Sequence, residues 1–166
     1  MTRAPARIAL AVAAALGLSA CGFTPLYAEP GVVDALAGIS VQAPDTRTGY
    51  LLREQLEDSF GRDLGETPAY RLTARVRERR NPLGSRADDT ATRYELTLTV
   101  AYDLFDARGG RLLTDTLSVT TTYASSVQPY AGVVAQQDGE ERAAAQAADL
   151  IRARLARFFA ERNAGG

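Results

Sequence analysis

From Tyr70 onward, apolar and polar residues alternate. Tyr70, Leu72, Ala74 and Val76 share one face and Arg71, Thr73, Arg75, Arg77 and Arg79 the other, the two-residue period of a strand with one buried side. The same period returns after a loop over 81–92. Tyr94, Leu96, Leu98, Val100, Tyr102 and Leu104 line one face there, opposite Glu95, Thr97, Thr99 and Asp103. Asp106 to Gly110, with Gly109-Gly110, reads as a hairpin turn into a further strand. Its inward set is Leu113, Leu117, Val119 and Tyr123, and its outward set is Thr114, Thr116, Ser118, Thr120 and Thr122. Upstream, Leu36 to Ala43 alternates through Ile39 and Val41 and predicts the first strand.

Two segments carry the helical period instead. Asp45, Thr46 and Thr48 offer capping side chains ahead of Leu52, Leu56 and Phe60, with Gly61 or Gly65 as the stop. Asp138-Gly139-Glu140-Glu141 resembles a capping box, which predicts a last helix starting at Asp138 with Ala147, Leu150, Ile151, Leu155 and Phe158 as its apolar stripe. The stretch 124–137 is compatible with an extended loop or with early turns of that helix. A helical crossover favours parallel pairing of the first two strands, and short connections favour antiparallel neighbours after that. The predicted fold is α+β, a two-layer sandwich of one four-stranded mixed sheet with two helices on its apolar face, in the order strand-helix-strand-strand-strand-helix. The other face is left open, surfaced by Arg and Thr.

The N-terminus follows a different logic. Arg3 and Arg7 precede an apolar run from Ile8 to Leu18 and then small residues, the layout of a cleaved signal peptide, and the run is too short to span a bilayer. Leu18-Ser19-Ala20-Cys21 resembles a bacterial lipobox, and Cys21 is the chain's one cysteine, so no disulfide partner competes for its thiol. We therefore expect a cleaved lipoprotein signal over 1–20 and lipidation at Cys21. Gly22 follows where an Asp would resemble an inner-membrane retention mark, which favours a lipid anchor in the outer membrane, on its periplasmic side. Pro25 and Pro30 among Phe23, Leu26 and Tyr27 make 21–31 an extended tether. Residues 32–166 are then one α/β domain.

Composition narrows the chemistry. The chain of 166 residues has no histidine and a net charge of −1, made more acidic by removal of Arg3 and Arg7, so a global basic field for nucleic acid is lacking. Without histidine, and with its cysteine acylated, the chain offers no usual transition-metal or Ser-His-Asp machinery, and neither a metal nor a cofactor is expected. The adjacent acids Asp88-Asp89 read as a solvated loop. All basic side chains are arginine, and the densest group is Arg71, Arg75, Arg77, Arg79, Arg80, Arg86 and Arg93.

Cys21-Gly22-Phe23-Thr24-Pro25-Leu26-Tyr27 resembles the mature start of the lipopolysaccharide-assembly lipoprotein family, LptE, in its alphaproteobacterial form. Tyr123-Ala124-Ser125-Ser126, Tyr130-Ala131, Val134-Ala135, Asp138, Arg142 and the end Leu150-Ile151-Arg152-Ala153-Arg154-Leu155 with Phe158-Phe159 are similar to that family's fourth strand and last helix. Thr92-Arg93-Tyr94-Glu95-Leu96 is similar to its third-strand entry. The resemblance implies a non-enzymatic lipoprotein that acts as plug and assembly partner of the lipopolysaccharide-inserting, LptD-like outer-membrane β-barrel, and that binds lipopolysaccharide. An auxiliary lipoprotein of a lipid-trafficking ABC transport system is the alternative.

Lipopolysaccharide presents phosphates, which guanidinium meets with paired charge-assisted hydrogen bonds. Arg77, Arg79, Arg80, Arg86 and Arg93 are the candidate binding residues. The competing reading is a solvated sheet face on which arginines pair with Glu95 and Asp103 of the neighbouring strand. Some family members carry a basic residue in the second-to-third strand loop, for which Arg86 is the nearest here. Others carry a Lys before the Asp-x-Glu of the last helix, where this chain has Gln137.

Overall fold

A computed structural model describes residues 31–61, 67–85, 91–124 and 128–165. Cys21, the signal, Arg86 and Asp88-Asp89 lie outside the described residues, as does the tether apart from Gly31. The order is α1 (Val32–Ala37), β1 (Ile39–Gln42), α2 (Arg47–Phe60), β2 (Tyr70–Ser85), β3 (Ala91–Asp106), β4 (Arg111–Ala124) and α3 (Pro129–Ala164). The strands form one sheet in the order β1-β2-β3-β4, with β1 and β2 parallel and the other neighbours antiparallel.

The alternating residues decide which side is buried. Leu72, Ala74, Leu96, Leu98, Val100, Tyr102, Leu104, Leu117 and Val119 all point into one core. There they meet Leu36 of α1, Leu52 and Leu56 of α2, and Ala147, Ile151 and Leu155 of α3. Helix α2 begins as the sequence predicts, with the Thr46 hydroxyl accepting from the Gly49 amide at 3.1 Å, and it stops at Gly61 in the left-handed region. The Asp106 carboxylate closes the β3–β4 turn by accepting from the Arg108 and Gly110 amides.

The structure corrects four details, the first being that β2 runs to Ser85 and β3 begins at Ala91, inside the segment 81–92 assigned to a loop. A third helix, α1, takes the start of the segment assigned to the first strand, leaving only Ile39–Gln42 extended. Val32 and Leu36, four residues apart, both bury on this helix of six residues, which is too short for periodicity to register. Helix α3 starts at Pro129, with proline in its first turn, so Asp138 is an interior residue that ion-pairs with Arg142 one turn on rather than a cap. The stretch 124–137 thus contributes its later residues to the helix. Leu150 is exposed, and α3 packs mainly through alanines, which let it lie close to the sheet. Gly139 serves the same approach, because a Cβ there would lie 3.1 Å from the Tyr123 ring.

Candidate functional site

Strand register assembles the open face from rows two residues apart. β2 contributes Arg71, Thr73, Arg75, Arg77 and Arg79, aligned with Phe105, Asp103, Ala101, Thr99 and Thr97 of β3. β4 adds a hydroxyl row. Thr99 and Ser118 join at 3.0 Å, and the Thr114 hydroxyl donates to Asp103 at 2.6 Å. Asp103 is only 5% exposed despite lying on this side, because Arg75 at 2.9 Å and Arg111 at 3.9 Å close over it. The Thr114 hydroxyl first, then Arg75 and Arg111, hold its carboxyl below the usual range against the opposing effect of burial. Arg71 lies over the Phe105 ring at 5.3 Å.

The candidate arginines therefore divide. Arg75 is paired with Asp103, as the solvated-face reading expected. Arg77 and Arg79 are exposed and make no ion pair among the described residues. Arg93, in register with Leu83 and Ala124, is exposed farther along the open face. Arg80 is not with them. It continues the phase of Leu72, Ala74 and Val76, so it points to the helix side, where it pairs with Glu78 at 3.2 Å.

There Arg80 lines an open cleft of about 420 Å³ with Tyr94, Tyr123, Pro129, Val133 and Gln136, between the hairpin and the first turns of α3. Tyr94 and Tyr123 stack at 5.5 Å. Beside the cleft, Glu140 is 4% exposed and accepts from Arg47 of α2 at 3.0 Å and from Gln136 at 2.7 Å, tying α2 to α3. Burial, then the Glu140 charge, push the Glu78 carboxyl up, while Arg80 opposes them.

A second polar group crosses the core layer at the other end. Tyr102 donates to Asp115 at 3.3 Å, and Arg154 of α3 ion-pairs with the same carboxylate. Burial and then the Asp115 charge push the Tyr102 hydroxyl up to about 12. Burial also raises Asp115, but the Thr116 amide, Arg154 and Tyr102 together outweigh it and hold the carboxyl low. Thr121 likewise donates to the Gly139 carbonyl at 3.2 Å. The sequence carried a signal for these contacts. Glu78, Arg80, Asp115 and Thr121 are polar residues in inward phase, and each such break in an apolar row marks a bond to a helix or to a neighbour.

The two kinds of carboxyl should differ in sign. Asp103 has a lowered pKa in the fold, so its stabilisation is complete above the ordinary carboxylate range and is lost as pH falls through the lowered value. Glu78 is raised above 4.5, so the folded state loses stability as pH rises from there through the raised value. At neutral pH, Asp103→Asn should lower the melting temperature and Glu78→Gln should raise it or leave it unchanged. Both differences should shrink near pH ~3, where carboxylates protonate. Thermal unfolding at the two pH values checks this.

Among the described residues, no cluster of three or more His, Cys, Asp or Glu could hold a metal ion, and no helix is long and apolar enough to cross a membrane. The candidate surfaces are an arginine and hydroxyl sheet face and a tyrosine-floored cleft. The family model for LptE, lipopolysaccharide-assembly, matches residues 36–155, from the end of α1 into α3. The chain belongs to the LptE family. A candidate lipoprotein from Caulobacter crescentus CB15, solved by crystallography, is 44% identical, with 80% of this chain and 97% of that one covered and a TM-score of 0.70. Rare lipoprotein B from Shewanella oneidensis is similar in fold at 16% identity, with 76% and 96% covered and a TM-score of 0.53. Lipoprotein B from Nitrosomonas europaea is similar in the same way at 17% identity, with 76% and 84% covered and a TM-score of 0.52. No curated protein sequence matches the chain significantly. Membership in the LptE family makes this an envelope lipoprotein with a part in lipopolysaccharide assembly.

Proposed function

We propose that this LptE-family protein is held on the periplasmic side of the outer membrane by acylated Cys21, after removal of residues 1–20, with 21–31 as tether and 32–166 as one domain. It serves there as plug and assembly partner of the LptD-like barrel that inserts lipopolysaccharide, without an enzymatic step. The observation that carries this reading is the uncovered sheet face. Its arginine and hydroxyl rows suit the polar lumen of a large barrel, where an apolar face would not be tolerated. Affinity isolation of the tagged full chain from outer membranes should recover a large β-barrel in stoichiometric amount. Recovery without such a barrel overturns the assignment.

Lipopolysaccharide is bound, in this proposal, by Arg80 in the cleft on the helix side and by Arg93 on the open face, with Arg86, outside the described residues, as the third candidate. Charge reversal is a poor test at Arg80, because a glutamate there would join Glu78 and Glu140. Arg80→Gln with Arg86→Gln should weaken binding of the purified protein to lipopolysaccharide, and binding by the unaltered protein should fall as salt rises. Arg108→Gln, at the opposite hairpin, is the control. Equal binding by a folded double variant removes these arginines from the site.

A further inference from the structure

The sheet has an unfinished edge. β1 pairs only with Tyr70–Thr73, although β2 runs on to Ser85 with β3 on its other side. Beyond Thr73, alternate amides and carbonyls of β2 face outward, and among the described residues no backbone hydrogen bond from outside the sheet reaches Ala74–Arg80. The sequence of the β1–α2 turn creates the gap. Pro44 has no amide to extend the ladder, its carbonyl accepts from the Thr46 amide at 2.8 Å, and the chain swings into α2. Gly49 makes the swing possible, since a Cβ there would lie 2.2 Å from the Pro44 carbonyl oxygen. An open cleft of about 360 Å³ remains where β1 leaves, lined by Ala43, Pro44, Thr73, Ala74 and Val76.

We infer that the β2 edge from Ala74 to Arg80 docks an extended acidic segment of a partner protein, which adds to the sheet as a strand continuing the line of β1. Backbone groups supply the pairing and the arginine row supplies the selectivity. Arg75, Arg77 and Arg79 stand two residues apart on the open face, and Arg77 and Arg79 have no ion pair among the described residues. An added strand with acids at every second position places each carboxylate beside one of these guanidiniums. This surface goes beyond the proposed lipopolysaccharide site and does not depend on which protein the partner is.

The other occupants fit less well. Residues 22–30 end at Gly31, which lies against Asn163 at the C-terminal end of α3, the end at which Phe159 packs on Tyr70. From Tyr70 to Arg80, the far end of this edge, the strand rises about 33 Å. The tether spans about 30 Å when fully extended, so it cannot run to the end of this edge, and its one acid, Glu29, with Pro25 and Pro30 beside it, does not match an arginine row or a ladder. A second copy would set one arginine row against another, and like charges across a pair of strands repel.

The probe is a short capped peptide alternating Glu and Val, titrated against the purified mature protein and followed by anisotropy and by amide hydrogen exchange. Binding should slow exchange in Ala74–Arg80 and not at the β4 edge. Arg77→Glu with Arg79→Glu, exposed sites whose variant should melt like the parent, should weaken binding roughly tenfold or more. The same peptide N-methylated at alternate residues keeps its charge and loses its ladder donors, so it should not bind. Lack of binding at millimolar peptide, protection elsewhere, or equal binding by the N-methylated peptide overturns the inference.

Discussion

Leu98→Ala is expected to destabilise the isolated domain by about 2–5 kcal/mol, the range for removing a leucine from a core that cannot collapse around the gap. Leu98 is fully buried in the middle of β3, between Glu78 of β2 and Val119 of β4 in register, beneath the helices. Rigid ladders on both sides keep the cavity from closing. Thr97, the next residue, points to the open face, where its hydroxyl is 3.5 Å from that of Thr120. Thr97→Ala should change stability by no more than about 0.5 kcal/mol, as surface changes do. Chemical denaturation of both variants decides the matter. Comparable losses would mean that the faces of β3 have been assigned the wrong way round.

Cys21→Ala is expected to release or mislocalise the protein while leaving its melting temperature unchanged. In the proposed anchor the acyl chains supply the membrane affinity at about 0.8 kcal/mol per buried CH₂, and a single short chain already gives only marginal binding. No described helix is long and apolar enough to cross the bilayer in their place. Fractionation of cells carrying the variant, with mass spectrometry of the unaltered mature N-terminus, reads both halves. An unmodified Cys21, or cleavage elsewhere, would sink the anchor proposal.

The prediction at Leu98 was available from sequence because a strand with one buried side writes its phase in every second residue. Arg80 shows where that reading stopped short. Carrying the period of Leu72, Ala74 and Val76 two steps further puts Glu78 and Arg80 on the helix side, whereas the sequence reading grouped Arg80 with Arg77 and Arg79 of the other face. What makes those positions tolerable is supplied by other elements. Glu140 is fixed by Arg47 and Gln136, and Arg80 answers Glu78. Likewise Asp115 interrupts the inward row of β4, and only the packing of α3 brings Arg154 to it.

The sequence by itself determined the strand faces, the parallel and antiparallel pairing, the α2 cap, the β3–β4 turn and the core leucines of β2, β3 and α2, because each depends on local periodicity or on residues a few positions apart. Tertiary structure decided the rest. It made a helix of Val32–Ala37, which is held by burial of Val32 and Leu36 rather than by its own propensity. It carried α3 back to Pro129, although Gly132 and Gly139 dilute the helical signal, and close packing on Tyr123 offsets the cost at Gly139. It divided one arginine-rich stretch between two faces, and it left the β2 edge bare where Pro44 turns the chain away. Each of these outcomes depends on groups far apart in sequence, whose meeting is fixed only when the sheet and helices close on a shared core.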